Sequence, residues 1–600
     1  MLFLYIVIPE LYFMTKQLTR LFDFIYYQER QYPQKKCYTF KKQGQWNSIS
    51  TKVFLEEVNT VSRALLSLGI KKNDKIAVIS SNNRPEWHAL DIGILQIGAQ
   101  NIPLYPTLSE KDYQYILHHS DALYCFVSDK VLLKKVTAVK KNTNLQGVFT
   151  FDEIDKHTDW NTFLEFGKSL DTQPKVDALK AQVSENDLAT IIYTSGTTGT
   201  PKGVMLSHKN IVQNTLVSAK ALDLTGNKYR VLSYLPISHI FERFASYYYH
   251  FMGFEVYFAE SIDALGDNLK EVKPHFIPVV PRLLEKVFDK IVAKGNELTG
   301  LKKGLFFWAL KLGENYKPYH RNSIWYYLKL SIARKFIFSK WKEALGEQLK
   351  FMVSGSAPLQ VKLINIFTAA GMPIYEGYGM TETSPGISIN DLRNNGLKVG
   401  TVGKVLQGIE VKIAQDGEIL VKGSNTMMGY YKNEELTKKT LQNGYLHTGD
   451  IGTLDAEGFL KITDRKKEMF KTSGGKYIAP AVLENDLKQS RFIEQVMIIG
   501  ESQKMPAALI QVNFDFVTEW AKRHDHIIKD VSTDVKLLFR VQEEIDRYNK
   551  NFGQWEQIKK FEITPDEWTI DAGHLTPTMK MRRKIIKEKY QVLFQKIYKS

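Results

Sequence analysis

The densest group of residues that could bind a phosphate is the stretch YTSGTTGTPKG, from Tyr193 to Gly203. It contains three glycines, four hydroxyl residues counted from Ser195, one proline and one lysine, Lys202. Glycines let backbone amides approach an anion closely, hydroxyls donate hydrogen bonds, and a lysine supplies a point charge for phosphate oxygens. The stretch is therefore predicted to bind a polyphosphate, with an ordinary Gly/Thr turn as the alternative.

This stretch does not fit the Walker pattern G-x-x-x-x-G-K-[ST]. When the pattern is started at Gly196, Pro201 stands where the second glycine belongs. Gly203 then follows Lys202, where a Ser or Thr would contact magnesium. A metal ion that accompanies the phosphate is therefore expected to take its protein ligand from another part of the chain.

Two later segments carry residues that suit a nucleotide: MVSGSAPL, Met352–Leu359, and YEGYGMTETSP, Tyr375–Pro385. Both resemble strand ends that open a ligand cleft at the edge of a sheet. Three small residues in the first segment would let a flat ring lie against the backbone: Gly355, Ser356 and Ala357. Tyr378 could offer an aromatic face to a purine, and Thr381 and Glu382 supply the oxygen ligands that Mg²⁺ prefers.

A third segment, from Gly444 to Pro480, contains a carboxylate and an arginine fifteen positions apart. Asp450 stands in a Thr-Gly-Asp turn and could accept hydrogen bonds from both hydroxyls of a ribose. Arg465 could reach the same sugar or a phosphate. Taken alone, each is more simply interpreted as a surface charge, so the segment matters only together with the other two.

Strands and helices alternate along the part of the chain that carries these segments, which favours an α/β fold with mostly parallel sheets. Ser207 is the expected N-cap of a helix that follows the glycine-rich stretch. The other predicted elements are a strand end at Leu188–Ile192, a helix over Phe54–Ile70, strands at Lys75–Ser80, Ala122–Ser128, Gly147–Phe151, Gly253–Ala259 and His275–Val280, and helices from Pro85 and Pro281. From Val399 the sequence becomes rich in glycine and predicts β-hairpins, with a turn at Asp416-Gly417. After Asp464 it becomes a charged α+β piece, so the main domain boundary is predicted near Asp464.

A chain of 600 residues is expected to form two to four structural units. The apolar start, MLFLYIVIPELYF, is broken by Pro9 and Glu10 and is too short to span a bilayer. Residues 1–13 are therefore an extension of doubtful status: either a signal or anchor, or an over-extended start with Met14 as the initiator. Two cysteines, Cys37 and Cys125, are too few for a disulfide framework, which favours a cytoplasmic location.

The net charge of +16 implies attraction to an anionic partner. Residues 295–342 concentrate this charge, with ten Lys or Arg against Glu297 and Glu314, and with eleven interleaved aromatic residues. Such a helical insertion could lie on the inner face of an anionic membrane, stack on nucleic acid, or pack against its own domain. We expect no nucleic-acid partner and leave the other two alternatives open.

The three segments, in this order and at these separations, resemble the adenylate-forming (AMP-binding) superfamily from about Leu18 to the C-terminus. Within it, LPISHIFER, Leu235–Arg243, and LTPTMKMRR, Leu575–Arg583, are similar to the long-chain acyl-CoA synthetase branch. The resemblance implies a large N-terminal domain of two α/β subdomains plus a small β-barrel, here residues 14–463. It also implies a mobile C-terminal α+β lid domain, here residues 464–600.

The resemblance also implies a role for each matching residue. The β- and γ-phosphates of ATP would be bound by Thr194, Ser195, Gly196, Thr197, Thr198, Gly199 and Lys202. Adenine would be enclosed by Gly355, Ser356, Ala357, Gly377 and Tyr378. Thr381 would hold the α-phosphate, Glu382 and Thr194 the Mg²⁺, Asp450 and Arg465 the ribose, and Lys467 the interdomain hinge. Lys580 would reach the α-phosphate and the substrate carboxylate, Gly474 and Gly475 would admit the pantetheine arm, and His239 would line the acyl pocket.

The implied activity is ATP-dependent ligation of a long-chain fatty acid to coenzyme A through acyl-AMP, which releases AMP and pyrophosphate. A carboxylate is already ionised at neutral pH, so positioning and charge neutralisation suffice for the first step. Some family members carry a gating tryptophan where this chain has Arg243, so no such gate is predicted. The alternatives are an acyl-AMP ligase that loads a carrier protein, a ligase for aryl or medium-chain acids, and a non-catalytic lipid- or nucleotide-binding relative.

Overall fold

The computed structural model describes residues 18–195, 200–222, 224, 229–319, 321–576 and 579–599. The expectations for residues 1–13 lie outside this range. The chain divides into two compact units. The first consists of Met1–Val411, Val421–Leu446 and Ala456–Leu460, and the second of Lys412–Leu420, His447–Asp455 and Lys461–Ser600.

The strands are numbered here in chain order. They are β1 Tyr38–Lys42, β2 Gln45–Ile49, β3 Lys75–Ile79, β4 Gln100–Leu104, β5 Ala122–Val127, β6 Gly147–Thr150, β7 Leu188–Ser195, β8 Pro201–Ser207, β9 Arg230–Ser233, β10 Glu255–Phe258, β11 Phe276–Val279, β12 Phe351–Ser354, β13 Ile374–Gly379, β14 Gly386–Ile389, β15 Lys404–Val405, β16 Glu410–Ile413, β17 Glu418–Lys422, β18 Gly429–Tyr430, β19 Leu441–Gln442, β20 Tyr445–Leu454, β21 Leu460–Arg465, β22 Phe470–Lys471, β23 Tyr477–Ile478, β24 Ile493–Ile499, β25 Ala507–Val512 and β26 Phe561–Ile563.

The helices lie before the first of these strands, in the connections between them and after the last. The α-helices are Asp23–Gln31, Thr51–Ser67, Pro85–Gln96, Glu110–His119, Lys130–Val139, Trp160–Glu165, Gln173–Gln182, His208–Leu222, Ile240–Met252, Leu265–Val272, Pro281–Glu297, Gly300–Glu314, Ile324–Ala333, Ser339–Ala344, Val361–Ala369, Glu434–Thr440, Pro480–Leu487, Phe514–Arg523, Val535–Asn549, Arg583–Lys589 and Gln591–Lys599. Short 3₁₀ turns occupy Lys140–Asn142, Leu170–Thr172, Thr381–Thr383 and Arg393–Asn395, and a π-helical turn occupies Arg334–Phe338.

The first unit contains two large sheets. One has the order β15-β14-β13-β12-β11-β9-β10-β1-β2, and the other the order β18-β8-β7-β4-β3-β5-β6. The central pairs of both sheets are parallel, and antiparallel pairs occur toward their edges. The predicted α/β fold with mostly parallel sheets is therefore confirmed. Each parallel pair of strands requires a crossover connection, which explains why strands and helices alternate in the sequence.

The region around the glycine-rich stretch differs from its prediction. The strand expected to end at Ile192 continues to Ser195, and Pro201–Ser207 returns antiparallel to it as β8. Apolar side chains of both strands, such as Ile191 on β7 and Val204 on β8, are fully buried, so the buried ladder continues into the polar motif. The helix after it begins at His208, and the Ser207 hydroxyl accepts a hydrogen bond from the backbone N–H of Asn210 at 3.2 Å, which confirms the predicted cap.

The second unit contains its own small sheet of α+β character. Strands β24 and β25 are antiparallel, and β26 adds to β25 in parallel. Helices Pro480–Leu487 and Val535–Asn549 bury Leu483, Leu537 and Val541 in one core with this sheet. The charged texture after Asp464 therefore folds as the α+β piece that the sequence predicted.

Arg243, which stands where some family members carry a gating tryptophan, forms a buried ion pair. The Arg243 side chain on helix Ile240–Met252 is fully buried, and its Nη2 lies 2.5 Å from Asp91 Oδ1. Its Nη1 donates to the Thr190 hydroxyl at 2.5 Å, and Tyr247 donates to the same carboxylate. A charge removed from water is tolerated only with such complete pairing, so Arg243 here holds the helix to its neighbours.

Residues 295–342 form helices that present two faces. Leu330, Ala333 and Phe338 are buried in the core beside the nine-stranded sheet, whereas Ile324 and Trp325 are largely exposed. Within the described residues, no helix combines the length and the apolarity that crossing a bilayer requires.

Candidate active site

The glycine-rich stretch forms the end of the β7–β8 hairpin. Thr194 pairs with Lys202 across the ladder, and Ser195 pairs with Pro201. The predicted phosphate ligands Gly196, Thr197, Thr198 and Gly199 lie outside the described residues, as does the side chain of Ser195. Strands β7 and β8 therefore fix the positions of the backbone at Ser195 and Pro201, between which these predicted ligands lie in the sequence.

Glu382 stands in the 3₁₀ turn Thr381–Thr383, directly after β13. Both Thr381 and Glu382 are about nine-tenths buried, with exposures of 8% and 9%. The turn is closely held, because the Thr383 hydroxyl donates to the Pro385 carbonyl at 2.6 Å and Asn425 donates to the Thr383 carbonyl at 3.0 Å. Gly379 is required beside it, since a Cβ there would lie 1.8 Å from the Pro385 carbonyl oxygen.

A tyrosine connects the hairpin with this turn. The Tyr430 hydroxyl donates to Glu382 Oε1 at 2.9 Å, and Lys202 Nζ lies 5.5 Å from the centre of the Tyr430 ring. Burial, together with the neighbouring Glu382 carboxylate, raises the pKa of Tyr430, so its hydroxyl remains a donor at neutral pH. The structure thus brings a predicted phosphate ligand to the face of one tyrosine ring and a predicted metal ligand to the hydroxyl of the same tyrosine.

The residues predicted to enclose adenine lie at the ends of two neighbouring parallel strands. Ser354 of β12 pairs with Glu376 of β13, so the residues after each meet at one sheet edge: Gly355, Ser356, Ala357, Gly377 and Tyr378. A Cβ on Gly355 would lie 3.8 Å from the Gly377 carbonyl oxygen, which shows how near the two segments are. Ser356 adopts a φ of 73°, which turns the chain there, and the Tyr378 side chain is 8% exposed.

A buried carboxylate lies behind these strand ends. Glu376 Oε1 accepts a hydrogen bond from the backbone N–H of Leu359 at 3.2 Å. Burial raises the pKa of Glu376 to about 7, against this hydrogen bond, which lowers it. The side chain therefore ties the segment after β12 to β13.

His239 is placed by the start of helix Ile240–Met252. It is the N-cap of that helix, and its Nδ1 accepts a hydrogen bond from the backbone N–H of Phe241 at 3.1 Å. The ring is half-buried. Its predicted place in the wall of an acyl pocket stays a prediction.

Two predicted ribose ligands meet in the second unit. Asp450 on β20 is 5% exposed, and its Oδ1 accepts a hydrogen bond from Arg465 Nε of β21 at 3.0 Å. Arg465 keeps 43% of its side chain exposed, so the guanidinium remains accessible to a ligand. Lys467 follows β21 in an exposed turn.

The remaining predicted residues of the second unit lie on its surface. Gly474 and Gly475 form an exposed turn between β22 and β23, where Gly475 has a φ of 79°. A positive φ of this kind favours glycine. Lys580 is exposed, and its backbone N–H donates to the Thr576 hydroxyl at 3.0 Å. Of the motif around it, Pro577 and Thr578 lie outside the described residues.

The donor set near Glu382 fits magnesium held together with a nucleotide. Among the described residues, no group of three His, Cys, Asp or Glu side chains is placed to hold a metal by itself. Mg²⁺ in nucleotide sites is usually bound by one or two carboxylates plus substrate phosphates and water. Glu382 is the candidate for such a carboxylate, and the metal contact expected of Thr194 stays a prediction.

Tyr430 and Glu376 were not identified from the sequence as site residues. The run MMGYY predicts only a β-hairpin region, because a tyrosine there carries no signal of its partner. Glu376 lies within the motif that was singled out, but nothing in the sequence distinguishes a buried carboxylate there from a polar loop residue.

Family models match nearly the whole chain. The model described as AMP-binding enzyme matches residues 25–431, and the model described as AMP-binding enzyme C-terminal domain matches residues 468–600. Among curated proteins, the long-chain-fatty-acid–CoA ligase FadD15 of Mycobacterium bovis is 33% identical over 590 residues, covering 96% of both chains. The human long-chain-fatty-acid–CoA ligase 1 is 30% identical over 593 residues, covering 92% of this chain and 82% of its own.

Solved structures share the fold at lower identity. The anthranilate CoA ligase AuaEII in complex with anthranoyl-AMP superimposes with a TM-score of 0.72 at 18% identity, covering 95% of this chain and 97% of its own. The o-succinylbenzoate CoA synthetase of Bacillus subtilis in complex with ATP and magnesium gives a TM-score of 0.63 at 21% identity, covering 90% and 95%. Both have the large N-terminal and small C-terminal arrangement of mixed α/β sheets.

Proposed function

The chain belongs to the AMP-binding enzyme family, and we propose that it ligates a long-chain fatty acid to coenzyme A through an acyl-AMP intermediate. ATP and coenzyme A are the co-substrates, and Mg²⁺ accompanies the ATP. AMP and pyrophosphate are the other products. The curated relatives that carry the name long-chain-fatty-acid–CoA ligase match at 27–33% identity over most of both chains, which supports this substrate class.

One observation of the structure supports the nucleotide chemistry most strongly: Lys202 and Glu382 are held on the same buried tyrosine. A lysine and a carboxylate that contact the same side chain provide opposite charges for the two parts of a magnesium–polyphosphate: the lysine for the phosphate oxygens and the carboxylate for the cation. Glu382 is 9% exposed, and burying a carboxylate costs free energy unless a partner such as the Tyr430 hydroxyl offsets it. The arrangement supports ATP as the ligand.

In the first half-reaction, a carboxylate oxygen of the fatty acid attacks the α-phosphorus of ATP. A new oxygen–phosphorus bond forms while the bond to the bridging oxygen of pyrophosphate breaks. Lys202 and the glycine-rich stretch stabilise the departing pyrophosphate, and Thr381 positions the α-phosphate. When bound, Mg²⁺ neutralises charge on the phosphates, and Glu382 would hold it.

In the second half-reaction, the thiolate of coenzyme A attacks the acyl carbon of acyl-AMP. A thioester bond forms, and AMP leaves with the electron pair of the anhydride bond. We propose that Asp450 and Arg465 bind the ribose, that Lys580 serves the first half-reaction, and that the turn Gly474–Gly475 admits the pantetheine arm. We keep the boundary near Asp464, with Lys467 as the hinge, in the same proposal.

A substrate panel distinguishes this function from its rivals. We expect acyl-CoA from palmitate, ATP and free coenzyme A, with lower turnover of aryl and medium-chain acids. An acyl-AMP ligase that loads a carrier protein should be inert with free coenzyme A. If no fatty acid supports pyrophosphate release, a non-catalytic lipid- or nucleotide-binding protein becomes the better description.

We also propose that the protein contacts the inner face of an anionic membrane. Four large apolar residues recur every fourth position along the helix Ile324–Ala333 and the turn after it, and each is exposed by more than half: Ile324 78%, Leu328 54%, Ile332 52% and Phe336 62%. Trp325 beside them is 73% exposed. Residues four apart lie on one face of a helix, so these side chains form a continuous apolar stripe.

The charges around this stripe favour an anionic surface. Lys329 and Lys335 are exposed on the same helical segment, and Lys302 and Lys303 are exposed on the preceding helix beside Leu301. Apolar side chains between lysines are typical of helices that lie in a membrane interface. We expect sedimentation with vesicles that contain phosphatidylglycerol and weaker sedimentation with phosphatidylcholine alone. Equal binding to both would contradict the electrostatic part, and no binding to either would refute the proposal.

A further inference from the structure

The short strand β18 is attached to both halves of the nucleotide site. On one side, the backbone N–H groups of Met428 and Tyr431 donate to the carbonyls of Met205 and Gly203 on β8, at 2.9 and 2.8 Å. On the other side, the backbone N–H of Met427 donates to the Glu382 carbonyl at 2.9 Å. Five consecutive residues, 427–431, therefore fix the distance between the hairpin and the Glu382 turn.

The Tyr430 side chain lies between these two attachments and is 7% exposed. Its hydroxyl donates to Glu382 Oε1 at 2.9 Å, and the face of its ring lies under the Lys202 ammonium group at 5.5 Å. Its own backbone N–H donates to the Thr437 hydroxyl at 2.9 Å, which fixes the residue from the opposite side. The tyrosine is thus held by contacts that do not depend on a ligand.

These contacts have a chemical consequence for the carboxylate. A carboxylate has two oxygens, and a hydroxyl that donates to one of them fixes the plane of the group and leaves the other oxygen directed elsewhere. Partners of this kind orient metal ligands and typically change metal affinity by about 10–100-fold when they are removed. A cation above an aromatic face is attracted to it, which limits the positions of a flexible lysine head group.

We propose that Tyr430 is a positioning residue for the adenylation step, which orients Glu382 toward the magnesium ion and Lys202 toward the phosphates. This inference rests on the proposed function, because it assigns a metal to Glu382 and a phosphate to Lys202. It adds a residue that neither the glycine-rich stretch nor the YGMTET motif contains. It also predicts that one side chain sets two kinetic parameters that are otherwise independent.

The Tyr430→Phe variant removes the hydroxyl and keeps the ring. We expect the Mg²⁺ concentration for half-maximal fatty-acid-dependent ATP–pyrophosphate exchange to rise by about 10-fold, with the KM for fatty acid unchanged. Tyr430→Leu also removes the ring, so its KM for ATP at saturating Mg²⁺ should exceed that of the Phe variant. A loss of packing alone would lower the rate without this division between the Mg²⁺ requirement and the KM for ATP.

Tyr431→Phe is the matched control, because the neighbouring hydroxyl donates to Asp121 at 3.0 Å and not to Glu382. Its Mg²⁺ requirement should equal that of the wild type. Thermal unfolding of each variant checks that the fold is retained, and Tyr430→His, which keeps a ring N–H donor, should show a Mg²⁺ requirement between wild type and the Phe variant.

A double-mutant cycle with Glu382→Gln completes the test. If Tyr430 acts through Glu382, then Tyr430→Phe should have little further effect on the Mg²⁺ requirement once Glu382 is replaced. Additive effects, or an unchanged Mg²⁺ requirement in Tyr430→Phe, would overturn the inference while leaving the ligase function intact. Absence of fatty-acid-dependent exchange in the wild-type protein would instead refute the proposed function itself.

Discussion

Two regions of the first unit combine lysines with aromatic rings, and they do so in opposite environments. At the hairpin, Lys202 lies over Tyr430, whose side chain is 7% exposed. On the helix Ile324–Ala333, Lys329 and Trp325 are both exposed, the tryptophan by 73%. Charges act strongly where water is excluded and are screened at the surface. The same residue types therefore support the positioning of a ligand in the first region and attachment to a membrane surface in the second.

The largest effect should follow from removing the carboxylate of the buried region. Glu382→Ala is expected to lower acyl-AMP formation by on the order of 10²–10³-fold and to abolish saturation at ordinary Mg²⁺ concentrations, because the charge that holds the cation is lost. ATP–pyrophosphate exchange measures this. Glu297→Ala, an exposed glutamate at the edge of the helical region, is the control and should behave as wild type. An unchanged Mg²⁺ curve for Glu382→Ala would remove Glu382 from the metal site.

Lys580, an exposed lysine of the second unit, tests whether a lysine must be close to a buried ring to serve the reaction. Lys580→Ala should lower acyl-AMP formation by about 10²-fold, because a charge that we propose to act on the α-phosphate is lost, but should spare thiolysis of supplied acyl-AMP. Lys329→Ala, which also removes an exposed lysine, should leave both half-reactions unchanged. Equal losses in the two half-reactions of Lys580→Ala would refute its assignment.

The exposed region should respond to changes that leave the chemistry intact. The combined variant Ile324→Ser, Leu328→Ser and Ile332→Ser removes three apolar side chains that already face water, so its fold should persist. Binding to anionic vesicles should weaken by at least about 10-fold, since each buried apolar side chain contributes roughly 1.5–3 kcal/mol. Turnover of detergent-dispersed palmitate should stay at the wild-type level. Unchanged vesicle binding would show that the stripe is not the attachment site.

The smallest effect at neutral pH concerns a buried carboxyl on the helix that carries Arg243. Burial raises the pKa of Glu242 to about 8, and the Ser233 hydroxyl donates to it at 2.6 Å. The folded state then binds more protons than the unfolded state between about pH 4.3 and 8, so stability falls as pH rises through this window, by up to about 1.4 kcal/mol per pH unit.

Glu242→Gln should remove this pH dependence while changing stability at pH 7 by about 1 kcal/mol or less. The midpoint of thermal unfolding at pH 6 and at pH 9 checks the difference. Glu314→Gln, at a half-buried carboxylate that pairs with Lys362 at the end of the helix Gly300–Glu314, should keep the wild-type dependence. A Glu242→Gln variant that still loses stability between pH 6 and 8 would assign the dependence to another group.

The sequence was sufficient for the alternation of strands and helices and for the fold class. Alternating apolar segments predicted the parallel sheets, and the Ser207 cap was confirmed because capping depends on neighbours along the chain. Strand β8 was not predicted, because it begins within the polar motif. Its apolar residues are buried against segments that are distant in the sequence. Tyr430 lies 48 positions from its partner Glu382, and Arg243 lies 152 positions from Asp91. Contacts of that separation leave no periodic signal.

The most direct test of the central claim follows an oxygen atom through the reaction. Palmitate labelled with ¹⁸O in both carboxylate positions is incubated with ATP, Mg²⁺ and coenzyme A, and the products are analysed by mass spectrometry. Attack of the carboxylate on the α-phosphorus predicts one ¹⁸O in each AMP and none in pyrophosphate, with acyl-CoA formed in equal amount. Label in pyrophosphate or phosphate, or acyl-CoA formed together with ADP, would contradict the account.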